Sequence, residues 1–150
     1  MDLTYRAAVA NDVDAIAWIF SRSLRLLTLL PELHTDEEDR WFIANIILKE
    51  CEVTVAEHNK SIISFLARQD EEIRLLYTQP DFIGRGAGSL LLDAAKRAGI
   101  AALELWCFQS NVRARQFYEA RGFRPIKFTD GQHNEEKTPD IRYRWERSTK

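Results

Sequence analysis

The sequence predicts an α/β fold built on one mixed, mostly antiparallel sheet, and three observations lead there. From Cys51 onward the runs CEVTVAE, SIISFLARQ and EIRLLYTQ are rich in β-branched and aromatic residues and are separated only by the polar turns HNK and DE, the pattern of an antiparallel meander. The third run leads through a glycine-rich turn into the helix-like SLLLDAAKRA and then into the β-like ALELWCF, a βαβ unit whose two strands lie parallel. Two segments with helical periodicity come before the meander. At 150 residues, with 45% apolar and 29% charged side chains, the chain has the size and composition of one globular domain, residues 1–150, with a real core.

The elements follow in order. Leu3 to Val9 is a short β-like run. Asn11 is the expected N-cap of a first helix, with Asp12 and Asp14 in its first turn and Ile16, Ile19, Phe20 and Leu24 at helical spacing. Pro31 breaks the apolar tail LRLLTLLP, whose leucines, with nearby His34, either line a pocket or belong to the core. Thr35 and Glu38 form a capping box for a second helix presenting Trp41, Phe42, Ile46 and Ile47. After the meander and the βαβ unit, Asn111 caps a further helix with Ala114, Phe117 and Tyr118 on one face, and Gly122 stands where a glycine ends it. Phe123 to Phe128 begins a strand, TDGQHNEEKTPD is a loop, and IRYRWER alternates as the last strand.

Composition removes several function classes. A formal charge of −2, with short Lys/Arg clusters interspersed among acids, provides no face for nucleic acid. No run approaches the roughly 18 apolar residues of a membrane span, and the N-terminus lacks a signal-type apolar core, so a cytoplasmic protein is expected. Cys51 and Cys107 lack CxxC spacing and any His cluster, which points to reduced buried thiols and no metal site. Asn59-Lys60-Ser61 matches a glycosylation sequon but reads as turn chemistry.

Chemistry concentrates at Tyr77 to Gly99. Alternate glycines at Gly84, Gly86 and Gly88 between a strand and a helix let the backbone approach a ligand, and the free N–H groups of the helix start favour an anion such as phosphate. A flexible turn whose glycines merely permit positive φ is the alternative. A dinucleotide motif is approached, since Ser89 stands where its third glycine belongs and Glu104 follows about 20 residues on. Against that reading, the turn comes after three antiparallel-looking strands instead of opening the fold. No GxxxxGK[ST] loop exists.

Strand, Pro80, IGRGAG, helix, strand and NVRARQFYEARGF, in that order, resemble the GNAT superfamily of acyl-CoA-dependent N-acetyltransferases, from Leu3 to Trp145. Its Gln/Arg-x-x-Gly-x-Gly/Ala loop aligns with Ile83 to Gly88, Ile83 being a departure; Asn111, Ala114, Phe117, Tyr118, Glu119, Gly122 and Phe123 match its second motif. The resemblance implies helices on both faces of the sheet and a splayed parallel strand pair flanking an acetyl-CoA site. The implied CoA contacts are Leu76, Tyr77 and Thr78 on the strand, Ile83, Gly84, Arg85, Gly86, Ala87, Gly88 and Ser89 on the turn and helix start, and Asn111, Arg113 and Tyr118 beyond. Arg85, Arg113 and Arg115 lie near the helix starts, to meet phosphates or simply to be solvated.

The implied reaction is direct attack of a neutral primary amine, of a small molecule or peptide, on the acetyl-CoA thioester. A backbone N–H near Leu76 meets the oxyanion, and no covalent enzyme intermediate forms. Tyr118 is the expected general acid for the thiolate, on the argument that a phenol near pKa 10 and a thiol are closely matched; on spacing alone, Phe117 and Tyr118 read equally as core aromatics. Phe117 is expected to turn toward the sheet. Asp130, Glu135, Glu136 and Asp140 crowd the loop before the last strand and either attract a cationic amine or are solvated. No His falls in a catalytic motif, and Glu72 or Glu104 serves as base only through water. A non-catalytic acyl-CoA-binding module, a dinucleotide-binding domain and a homodimer remain open.

Overall fold

A computed structural model describes residues 2–27 and 31–148. Seven strands form one sheet in the order β1-β2-β3-β4-β5-β7-β6. They are β1 (Thr4–Ala7), β2 (Glu52–His58), β3 (Ser61–Gln69), β4 (Glu72–Thr78), β5 (Ala102–Phe108), β6 (Arg124–Thr129) and β7 (Asp140–Glu146). Neighbours pair antiparallel, except β4 and β5, which run parallel. The glycine turn thus follows a fourth strand inside an antiparallel meander, which removes the dinucleotide-domain alternative because that fold opens on a parallel βαβ unit.

Helices cover both faces. On one, α1 (Val13–Leu26) buries Ile16, Ile19 and Phe20 against Val53, Val55 and Phe65. On the other, α4 (Ala87–Lys96) buries Leu91, Leu92 and Ala95 against Leu66, Leu103 and Leu105, and α5 (Val112–Glu119) adds Tyr118. Covered on both sides, β3 reads as a nearly continuous apolar run over Ile62 to Ala67, interrupted only by Ser64. Among the described residues no helix is long and apolar enough to cross a membrane.

One helix start and one helix interior differ from the sequence reading. Asn11 does not cap α1. A 3₁₀ turn, Ala10–Asp12, precedes the helix, and the Asp12 carboxylate accepts the Val9 N–H at 2.8 Å while pairing in a fork with Arg6 of β1 at 2.8 and 3.0 Å. A partner on another strand decided which polar residue turned inward. The capping box does form: the Glu38 N–H donates to Thr35 Oγ1 at 3.1 Å and the Thr35 N–H to Glu38 Oε1 at 2.9 Å. Beyond it, α2 (Asp36–Phe42) widens into a π-helical stretch, Ile43–Ile47, before α3 (Leu48–Glu50). The extra residue per turn shifts the buried stripe to Ile43 and Ile47 and leaves Trp41 59% exposed, where a regular helix had been expected to bury it.

The parallel pair is short. Glu72 lies opposite Glu104, the Glu104 N–H donates to the Glu71 carbonyl at 2.8 Å, and pairing ends there. Ala67 faces Leu75 but Arg68 faces Ile73, so Arg74 is a bulge that bends β4 away from β5. At the closed end, the Arg142 guanidinium on β7 donates to both Glu72 and Glu104, and Arg144 also donates to Glu104. Burial alone would raise Glu104, but these two guanidiniums hold it below the ordinary carboxylate range. Neither glutamate is near the open end of the splay. Both are struts, not candidates for a general base.

Candidate functional site

The turn after β4 is shaped by its glycines. Gly84 and Gly86 adopt φ of +82° and +96°, the left-handed region, and a Cβ built at Gly86 meets nothing within 4 Å, so that side of the turn is open. Gly88 serves differently. Its ideal Cβ would stand 3.3 Å from Phe117 Cζ, so the lack of a side chain there leaves room for the Phe117 ring of α5 beside α4. Asn111 caps α5 as expected, its Oδ1 accepting the Ala114 N–H at 3.2 Å, and Gly122 ends the following turn at φ +89° against Trp145. Glu119 fastens α5 to the sheet by accepting the Tyr143 hydroxyl at 2.5 Å.

A cavity of about 780 Å³ opens where β4 and β5 diverge. Of the residues expected there, it brings together Leu76, Tyr77, Thr78, Ile83, Gly84, Gly86, Gly88, Ser89, Asn111, Arg113 and Tyr118. The Gln79 N–H donates to Ile63 O at 2.7 Å, and with Phe65 opposite Tyr77 the antiparallel alternation turns the main-chain N–H groups of Leu76 and Thr78 away from β3, toward the gap.

Two expected residues, Ala87 and Arg85, and one arginine the sequence left open, Arg115, are not in its lining. Ala87 is buried in the core, Arg85 lies over the Phe82 ring at 5.6 Å, and Arg115 is drawn to the Tyr143 hydroxyl at 3.4 Å and the Gln109 carbonyl at 3.3 Å. Sequence reasoning missed Arg121, which stacks 3.9 Å over the Phe117 ring, donates to Ser89 Oγ at 3.3 Å and lines the cavity. Its spacing four residues after Phe117 on a helix was the available signal. It also missed Ser23, for which no local signal exists, while Leu26 and Leu27, two of the tail leucines read as either pocket or core, line the cavity at the end of α1. Leu29 and Leu30 of the same tail lie outside the described residues.

The two aromatics of α5 exchange their expected roles in packing. Tyr118, not Phe117, faces the sheet, with its ring 6.2 Å from Tyr143 and 5.5 Å from Phe123, while Phe117 faces α4. The Tyr118 hydroxyl has no hydrogen-bond partner among the described residues. Burial pushes this phenol above its usual value, and Cys107 and Tyr77 add to the rise, so the close match to a thiol expected from ordinary acidities does not hold. Cys107 itself is buried and its thiol is pushed up to about 12, chiefly by burial.

A second cavity, of about 620 Å³, lies on the α1/α2 side and shares Tyr77 with the first. Phe20, Trp41, Phe42, Trp106 and Phe108 provide its walls, and Glu38, Asp39, Glu135 and Glu136 its acids. Of the four loop acids expected to attract a cation, Asp140 is not available. It is buried and held by Thr129, His133 and Asn134. Asp130 turns its carboxylate to the Gln132 N–H at 3.0 Å. Glu135 meets His34 Nε2 at 2.6 Å, which joins the α1–α2 connection to the β6–β7 loop across the rim and raises the His34 pKa.

A family model described as an acetyltransferase (GNAT) domain matches residues 49–125, just over half of the chain. The chain belongs to the GNAT acetyltransferase family. It is 30% identical over 99 residues to an uncharacterized N-acetyltransferase of Methanocaldococcus jannaschii; the match takes in 63% of this chain and 43% of that protein, so the chain spans less than half the length of this curated relative. Its fold is shared with a GCN5-related N-acetyltransferase from Rhodopseudomonas palustris (TM-score 0.79, 20% identity, 98% of this chain and 97% of that one). It is shared too with a PaiA N-acetyltransferase from Thermoplasma acidophilum solved in complex with coenzyme A (TM-score 0.74, 17% identity, 98% and 100%). At these identities the structures speak for the fold.

Proposed function

We propose that this GNAT chain transfers an acetyl group from acetyl-CoA to a primary amine by direct attack. The observation that carries the reading is the meeting of two cavities at Tyr77, at the open end of the parallel strand pair: one bordered by the glycine turn and the start of α4, the other by aromatic rings and acids. Acetyl-CoA supplies the activated thioester. The glycine turn and the first N–H groups of α4 hold its pyrophosphate, since open backbone at Gly86 and a helix N-terminus both favour an anion. Asn111 and Arg113 line the same side, and Arg121, fixed on Phe117, adds a cation.

The Leu76 N–H, turned toward the gap, is the donor for charge developing on the carbonyl oxygen. Tyr118 presents its hydroxyl to the sulfur. With its acidity suppressed by burial it stays protonated at neutral pH, and it acts by hydrogen-bonding the departing thiolate. The proton that the attacking amine sheds passes to solvent, and the thiolate takes one from solvent to leave as free thiol. The raised Cys107 thiol supports a path without an acyl-enzyme, because almost none of it is thiolate at neutral pH.

The test is transfer of label from acetyl-CoA across an amine panel, together with calorimetry against acetyl-CoA and NAD. Labelled N-acetyl products with release of one thiol per product are expected. Acetyl-CoA binding without thiol release for any amine would favour a non-catalytic acyl-CoA-binding module, and NAD binding without CoA binding would overturn the site.

A further inference from the structure

The second cavity holds enough detail to define what it accepts. Six aromatic rings border it: Phe20 from α1, Trp41 and Phe42 from α2, Tyr77 from β4, and Trp106 and Phe108 from β5. Phe20 packs against Phe42 at 5.8 Å and against Tyr77 at 5.7 Å, so one wall is a continuous aromatic surface. Trp106 is braced by His133 of the β6–β7 loop, with ring centroids 4.6 Å apart, and by Arg142 of β7. Such surfaces favour a flat apolar body, and their ring faces attract an ammonium group.

The acids of this cavity are not equivalent. Asp39 is buried and accepts from Ser21 Oγ at 2.6 Å. Glu38 is committed to the capping box, and Glu135 to His34. Glu136 is half-buried and engages the protein through its main-chain carbonyl, which accepts from Thr138 Oγ1 at 3.0 Å; its carboxylate has no ion pair or hydrogen bond among the described residues. Of the two cavities it lines only the second, close enough to Tyr77, the residue that both share, for its charge to act on the phenol. Burial pushes the Tyr77 phenol up to about 12, and the Glu136 charge is the second cause of that rise. A carboxylate on the cavity wall without a protein partner can take up a cation that a ligand provides.

We propose that the aromatic cavity binds a primary amine carried on an aromatic body, an arylalkylammonium, with Glu136 as its single counter-ion. This rests on the acetyl-transfer reading and names its acceptor. One unengaged carboxylate matches one positive charge, so a polyamine, with two or more ammonium groups and no ring, is a poorer fit. Walls drawn from α1, α2, β4, β5 and the β6–β7 loop enclose a compact ligand better than an extended peptide.

The experiment compares 2-phenylethylamine, spermidine and a short peptide with a free N-terminus as acceptors, using the full chain, Glu136→Gln and Trp41→Ala. Trp41 is exposed, so its truncation leaves the core intact. Phenylethylamine is expected to have the highest kcat/KM. Glu136→Gln should raise its KM by about tenfold or more, the loss of a charged hydrogen bond, with the KM for acetyl-CoA little changed. Trp41→Ala should raise the KM for phenylethylamine more than that for spermidine. Preference for spermidine or the peptide, or an unchanged amine KM in Glu136→Gln, would overturn the assignment. Calorimetry of phenylethylammonium against the CoA-saturated protein separates this inference from the catalytic one. Binding that weakens in Glu136→Gln, without turnover, leaves the cavity assigned and removes the reaction; turnover of other amines without phenylethylammonium binding does the reverse.

Discussion

Replacing Tyr118 by Phe removes one oxygen and keeps a ring that packs edge-on against Phe117 at 5.2 Å and Phe123 at 5.5 Å. The hydroxyl has no protein partner among the described residues, so its removal strands no donor or acceptor, and the stability change should stay within about 0.5 kcal/mol. For a protein of this size that is a shift of roughly 1–2 °C in Tm. The catalytic effect should be larger. A hydrogen bond to a charged partner is worth about 1.5–3 kcal/mol, or roughly 10- to 150-fold in kcat if it exists only once the thiolate forms. Full proton transfer from the phenol to a thiolate near pKa 8.5 runs uphill once burial has raised the phenol, which argues against the upper end of general-acid effects, near 10⁴. The assay is continuous thiol release at saturating amine, with CoA affinity by calorimetry and thermal unfolding on the same samples. Unchanged kcat would refute the role outright. A stability loss above 2 kcal/mol with turnover per folded molecule preserved would make the hydroxyl structural.

Gly86→Val places a branched side chain at φ +96°, which should cost about 1–2 kcal/mol of stability and raise the CoA Kd by roughly tenfold or more; a folded variant with unaltered CoA affinity would take the turn out of the site. Gly88→Val should weaken CoA binding as well, by driving Phe117 into the cavity, and a structure of the variant should show that ring displaced. Asp12 lies below its ordinary pKa, chiefly through the Arg6 hydrogen bonds. Its contribution is therefore present above about pH 4 and lost as pH falls through the depressed folded value; Asp12→Asn should cost about 2 kcal/mol at pH 7, and the gap to wild type should narrow in acid denaturation curves. Arg142→Met leaves Glu72 and Glu104 facing each other at the closed end of the splay and should cost about 3 kcal/mol in urea unfolding; an unchanged midpoint would deny the strut.

Local signals carried the sequence a long way. Period-two runs with polar turns determined the meander, since alternation and turn chemistry act within a few residues. Alternate glycines marked a backbone that must turn left-handed, and Thr35–Glu38 and Asn111 fixed two helix starts through bonds that span three residues. Those are also the parts of the site that the family resemblance rested on. What the sequence could not determine depends on partners outside the residue's own helix or strand, some of them only six residues off, as Arg6 is from Asp12. Asp12 instead of Asn11 turned inward because Arg6 stood on the adjacent strand, and Arg115 left the phosphate side because Tyr143 and Gln109 offered oxygens. Whether Phe117 or Tyr118 faced the sheet followed from the room that Gly88 leaves beside α4. The acids of the β6–β7 loop look alike in sequence, and only packing separated a buried Asp140, a Glu135 bound to His34 and an unengaged Glu136. The bulge at Arg74 was silent as well, because a one-residue slip against β3 leaves no mark on composition, yet it bends β4 away from β5 and opens the space where the two cavities meet.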